Sequence, residues 1–274
     1  MKIGHTDNPV TETLKIFPDS YFISVCSSPE VLSKNGFNLI ELHLQTFAEA
    51  EKEKELGWYV AKNRKYFDFV MHCPFMGLDG EKFKILLPEK VSANTMSEKA
   101  DINKIKRVVE LCGILGIKFL TIHASSALKL LVEREFSDFK KTIAGLNLLA
   151  NDNEVVLCVE TGGLSEEQLV ELIKNGLRIT FDTSHYFLDM TQLGIDGKKA
   201  NQKILEFFES NQAYIPVVHM SQPVDGKDAH ASILDNGMIN VHKTMLNVIK
   251  EKNLNTNVIF EFKPNPNLKV EDYF

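Results

Sequence analysis

Short apolar runs that stop at a histidine, aspartate or glutamate constrain this chain more than any other feature. Seven runs have this character or lie beside it: NLIELHL (38–44), FDFVMHC (67–73), KFLTIHA (118–124), EVVLCVE (154–160), RITFDT (178–183), YIPVVHM (214–220) and NVIFEF (257–262). Each is rich in β-branched and aromatic residues and is short enough to be a buried strand. An eighth strand is expected near the N-terminus, in either MKIGHT (1–6) or YFISVCS (21–27).

Between the runs the apolar period changes from two to about 3.6. In 97–116, Ile102, Ile105, Val108, Val109, Cys112 and Leu115 form one helical face, and in 136–150, Phe136, Phe139, Ile143, Leu146 and Ala150 form another. SEEQLVELIKNG (165–176) offers Ser165 as N-cap, Gln168 three residues on, and Gly176 as the stop. Strand then helix, repeated along 274 residues, gives an α/β protein, either a (β/α)₈ TIM barrel or a doubly wound sheet. No Pro/Gly/Ser-rich linker interrupts the pattern, so residues 1–274 are expected to form a single TIM-barrel domain.

Side-chain alternation favours the barrel. Two residues before each polar strand end stand Val70, Thr121, Cys158, Thr180, Val217 and Ile259, small or β-branched as a barrel interior requires. One residue before stand Met71, Ile122, Val159, Phe181, Val218 and Phe260, larger and suited to a helix-facing surface.

The strand ends themselves are His72, His123, Glu160, Asp182, His219 and Glu261. In a (β/α)₈ barrel the C-terminal ends converge at one mouth, where active sites lie. A lone histidine at a strand end is usually a hydrogen-bonded structural residue. Six ligand-type residues on the same inward parity are harder to explain that way. Crowded carboxylates repel unless a cation neutralises them, so the set points to divalent metal. The imidazole and carboxylate mixture suits zinc first, then manganese, cobalt or iron. His185 follows Asp182 in what reads as a loop, and Asp228 and His230 share one side of an extended loop after His219. Nine candidate ligands exceed the needs of one ion, so one to three ions per chain are expected.

The order HCPF, TIHAS, CVETGG, FDTSH, VHMS, DAH and FEF resembles the xylose-isomerase-like TIM-barrel superfamily, which includes sugar isomerases and epimerases and the endonuclease IV-like enzymes (AP endonuclease family 2). That resemblance implies that Glu160, Asp182, His219 and Glu261 form a shared metal quartet. From the isomerase branch it implies that Glu160 and Glu261 also move the substrate proton as catalytic residues. From the endonuclease IV branch it implies that His72, His123, His185, Asp228 and His230 complete a three-zinc cluster bridged by Glu160.

The ligand count puts metal-assisted phosphoester hydrolysis first. The alternative is a metal-dependent sugar, sugar-phosphate or keto-acid isomerase or epimerase, which needs one ion and two acid/base groups. A non-catalytic metal or small-molecule binding barrel comes third. The expected partner is a small phosphorylated or sugar-like substrate, or abasic-site DNA. The net charge of −6 and the acidic stretch EAEKEKE, read as a solvated helix face, weigh against a broad nucleic-acid footprint.

No apolar run reaches bilayer length, so no membrane partner is expected. The N-terminus lacks the layout of a secretory signal. Cys26, Cys73, Cys112 and Cys158 form no CxxC pair and are read as reduced residues, three of them in core elements, of a cytoplasmic protein. Among the remaining candidates, Glu41 and His43 are inward by parity, Lys263 shares the parity of Glu261, Phe75 and Trp58 are candidates to cover the mouth, and His5 and His242 are read as surface or cap residues.

Overall fold

A computed structural model describes residues 2–7, 33–34, 36–43, 50–73, 96–124, 130–231 and 238–261. Eight parallel strands close into a barrel: β1 (Lys2–Asp7), β2 (Leu39–His43), β3 (Asp68–His72), β4 (Phe119–His123), β5 (Val156–Glu160), β6 (Arg178–Asp182), β7 (Val217–Met220) and β10 (Asn257–Phe260), in the order β1-β10-β7-β6-β5-β4-β3-β2. Closure comes where β1 pairs with both β10 and β2, with Gly4 opposite Ile259 and Leu39. The N-terminal strand is therefore the MKIGHT segment, while YFISVCS, Cys26, Phe75 and Lys263 lie outside the described residues.

Helices α1 (Ala50–Asn63), α2 (Met96–Leu115), α3 (Glu133–Asp152), α4 (Glu166–Lys174), α5 (Thr183–Gln192), α6 (Gly197–Asn211) and α7 (Ile239–Glu251) lie among the strands in sequence. Helix α4 begins and ends as its sequence dictates. The Ser165 and Gln168 side chains cap each other's backbone N–H groups, and Gly176 takes φ +84°, a conformation that a Cβ would strain.

The two faces of the strands are sorted. Met71, Ile122, Val159, Phe181, Val218 and Phe260 pack outward into the main core beneath the helices. Leu39, Val70, Val217 and Ile259 form a separate small cluster inside the barrel. Above it the filling turns polar, and Thr121 Oγ1 on β4 meets Thr180 Oγ1 on β6 at 2.8 Å. Small side chains from alternate strands meeting in a layer are how such a barrel fills its interior.

Cys73, Cys112 and Cys158 are buried free thiols, and burial pushes the Cys158 thiol up to about 12. Trp58 is exposed in the middle of α1 with Lys62 over its ring, so it belongs to the outer helical layer rather than the mouth. No helix among the described residues is long and apolar enough to cross a membrane.

Two expected loops are regular structure. Lys227–Ala231 is a strand, β9, paired antiparallel with β8 (Gln222–Val224). Asp225 and Gly226 join them at φ 51° and 70°, the two positive values that a tight primed hairpin turn requires. His185 stands not in a loop but in the first turn of α5, which begins directly after β6.

Candidate metal centre

The barrel brings the strand-end residues together at one mouth. His72, His123, Glu160 and Asp182 are the last residues of β3 to β6, His219 is the third residue of β7, and Glu261 follows β10. The parallel register sets His123 beside Glu160 and Asp182 beside His219. All but His123 are buried, and His123 is nearly so.

Glu160 is the hub. Its Oε2 lies 3.0 Å from His72 Nε2 and 3.0 Å from His123 Nε2. Its Oε1 lies 3.0 Å from His219 Nδ1 and 3.6 Å from His185 Nδ1. His219 Nδ1 also stands 3.2 Å from Glu261 Oε2 and 3.9 Å from Asp182 Oδ2.

Local structure explains the spacing of Asp182 and His185. Asp182 is the N-cap of α5, and its Oδ1 accepts from the His185 backbone N–H at 2.7 Å. The cap fixes the first helical turn and swings the His185 ring back over the mouth. His185 Nδ1–H donates to the Thr161 carbonyl at 3.0 Å, and Nε2 lies 3.0 Å from Asp228 Oδ2 on the β8–β9 hairpin. Ser184 Oγ donates to the other Asp228 oxygen at 3.2 Å. His230 lies on β9 as expected, but its side chain is outside the described residues, as are those of His5 and His43.

Burial and mutual charge decide the ionisation. Burial opposes the charge of Glu160, yet His123, His219 and His72 outweigh it and hold the carboxyl well below its usual value. Burial likewise opposes charge on His219, but Glu41, Glu261 and Glu160 hold its pKa well above the imidazole value. His185 is raised in the same way by Asp182, Asp228 and Glu160 against burial. Burial lowers His123 to about 4 and raises Asp182 to about 7, where Glu261 and Glu160 add to the rise.

Among the described residues, three groups of side chains could each hold an ion, with donor atoms within 4.8 Å of one another: His72, Glu160 and His219; His123, Glu160 and His185; and Glu160, Asp182, His219 and Glu261. The fit is chemical as well as geometric. Among the described residues, Asp182 Oδ2 is a buried carboxylate oxygen of the four-residue group with no hydrogen-bond partner. Contacts of 3.0 and 3.2 Å among donors of the four-residue group match the roughly 3–3.4 Å expected between ligands that share a small divalent ion.

Glu41 points inward as its parity suggests, whereas His242 stands differently from its sequence reading. Glu41, inward by parity but in the middle of its strand, is fully buried and its Oε1 accepts from His219 Nε2 at 2.9 Å. His242, expected at the surface or at a cap, is buried in α7 and hydrogen-bonds Thr183 Oγ1 at 2.8 Å. It shares a helical face with Met245, Leu246 and Ile249, a three- and four-residue spacing that could have revealed its burial.

A closed parallel α/β barrel with imidazoles and carboxylates gathered at the C-terminal mouth defines the class: a TIM barrel whose mouth carries side chains that could hold a divalent metal. The sequence narrows it further. Residues 29–272 match the model of the xylose isomerase-like TIM barrel family, and the chain belongs to that family.

Comparison with curated proteins returned no match. Among solved structures, a D-tagatose 3-epimerase-like protein superposes with a TM-score of 0.64 at 20% identity, over 100% of this chain and 93% of that one. A xylose isomerase domain protein from Planctomyces limnophilus gives 0.63 at 14%, over 96% and 90%. A D-psicose 3-epimerase from Clostridium cellulolyticum H10, solved with D-tagatose, gives 0.59 at 13%, over 94% and 84%. At these identities the likeness is one of fold.

Proposed function

We propose that this chain is a divalent-metal-dependent isomerase or epimerase of a sugar-like carbonyl compound. The observation that carries the reading is the meeting of Glu160 and Glu261, from β5 and the end of β10, on the same His219 nitrogen at 3.0 and 3.2 Å. Two carboxylates delivered to one point from separate strands are what proton transfer beside a carbonyl requires. The sugar epimerases of the same fold lend the reading further support.

On this reading Glu160, Asp182, His219 and Glu261 hold the ion. When bound, the ion polarises the substrate carbonyl and eases removal of the proton on the neighbouring carbon. Glu160, held ionised by its histidine neighbours, is suited to accept that proton. Glu261 returns one from the other side, so the carbon regains its hydrogen with inverted configuration and no net change in atoms. The burial of both glutamates limits the access of bulk water to the proton being moved.

The second donor group, His123, Glu160 and His185, favours a different reading, phosphoester hydrolysis with two or three ions. Metal analysis of purified protein, followed by assays on a ketose and aldose panel and on abasic-site DNA, separates the two. One equivalent of metal with carbon-centred isomerisation is expected. About three equivalents of zinc with strand cleavage would overturn the proposal.

A further inference from the structure

The geometry points to Glu41 as a positioning residue that sets the tautomer of His219 for metal binding. The inference rests on the reading of the mouth as a metal site and adds a residue outside its ligands. Glu41 belongs to none of the three donor groups. It sits on the far side of the His219 ring, with Oε1 2.9 Å from Nε2, while Nδ1 faces Glu160, Glu261 and Asp182.

A neutral imidazole carries its proton on one nitrogen and a lone pair on the other. A carboxylate only accepts, so Glu41 holds the proton on Nε2. Nδ1, which faces Glu160, Glu261 and Asp182, is then the nitrogen whose lone pair would be offered to a cation held among those carboxylates. A carboxylate behind a ligating histidine also makes the ring a better donor.

Two other histidines of the mouth are oriented by a weaker device. His72 Nδ1–H donates to the Cys73 carbonyl at 2.9 Å, and His185 Nδ1–H donates to the Thr161 carbonyl at 3.0 Å. His72 therefore directs Nε2 at Glu160, while His185 directs Nε2 at Asp228 on the rim. His219 is turned the other way from His72, presenting Nδ1, and its outer partner is a side chain from β2. That strand is separated from β7 by β1 and β10, so the contact crosses the barrel interior. Among the described residues, Glu41 is the group that meets His219 Nε2 and fixes this ring.

Glu41→Gln keeps the shape and an accepting oxygen but removes the charge, and Glu41→Ala removes both. Two measurements test the inference. Ring nitrogen NMR of the Zn²⁺-loaded protein should show His219 bound through Nδ1 and protonated at Nε2 in wild type and Glu41→Gln, and a mixture of Nδ1- and Nε2-bound rings in Glu41→Ala. Titration with Mn²⁺ or Zn²⁺ alone should show affinity about 10–100-fold weaker in Glu41→Ala, with Glu41→Gln between. Folded variants with wild-type tautomer and affinity would overturn the role of Glu41. A wild-type chain that takes up no divalent ion would instead overturn the reading of the mouth, and the role with it.

Discussion

His185 Nε2 stands 3.0 Å from Asp228 Oδ2, joining the first turn of α5 to the β8–β9 hairpin across the rim of the mouth. His185 belongs to the second donor group, Asp228 lies beside it, and neither is part of the four-residue one. Its importance therefore distinguishes one working ion from several. On the isomerase reading, His123→Ala combined with Asp228→Ala retains one tightly bound ion and sugar turnover within about tenfold of wild type. Elemental analysis with a coupled ketose assay checks this, and loss of all metal would count against it.

On the isomerase reading, Glu160 and Glu261 have separable roles. Glu160→Gln and Glu261→Gln should each lower kcat by about 10²–10⁴-fold, the usual contribution of a positioned acid or base. In deuterated water, one of the two variants should still exchange the carbon-bound hydrogen of recovered substrate while failing to invert it. Mass spectrometry of the substrate reads this signature. Full exchange and inversion in both variants would remove the glutamates from the chemistry.

Inside the barrel, Thr121 and Thr180 satisfy one another. Thr121→Val leaves the Thr180 hydroxyl buried without that partner and should cost about 1–3 kcal/mol in urea unfolding. Valine at both positions should recover most of the loss. A double variant no more stable than the single one would deny the pairing.

Two buried groups should give opposite pH dependence. Burial raises Asp189 to about 7, although the Gly163 N–H donates to it. Its folded pKa lies above the unfolded one, so its contribution is full below about 4 and is lost as pH rises toward 7. Burial lowers His242 to about 3, so its contribution is full above the ordinary imidazole value and is lost as pH falls toward 3. Subtracting the stability of Asp189→Asn from wild type across pH 4–7 should give a falling curve, and the same subtraction with His242→Gln a rising one. Two flat differences would contradict both assignments.

The barrel was legible because strand alternation has a period of two. Once Asp182 is set inward, Thr180 must also point in and Phe181 out, and the pattern repeats in strand after strand. The strand ends were legible for the same reason. Glu41 was not recognised as a partner of His219 because parity reports direction but not depth, and no local signal marks a mid-strand carboxylate as the partner of a residue 178 positions away. The β8–β9 hairpin had a readable mark in its Asp225-Gly226 turn. The helical setting of His185 is hidden in the sequence because a helix that starts directly after the last residue of a strand leaves no linker to read.

Asp182 divides its two oxygens between two tasks. One begins a helix and the other faces the mouth. Any substitution there changes both together: alanine removes the cap with the donor, while serine keeps a cap and abandons the charge. One side chain therefore ties the candidate metal centre to the start of α5. The placement of the His185 ring depends on the same cap, which makes this short segment one mechanical unit rather than a set of independently adjustable positions.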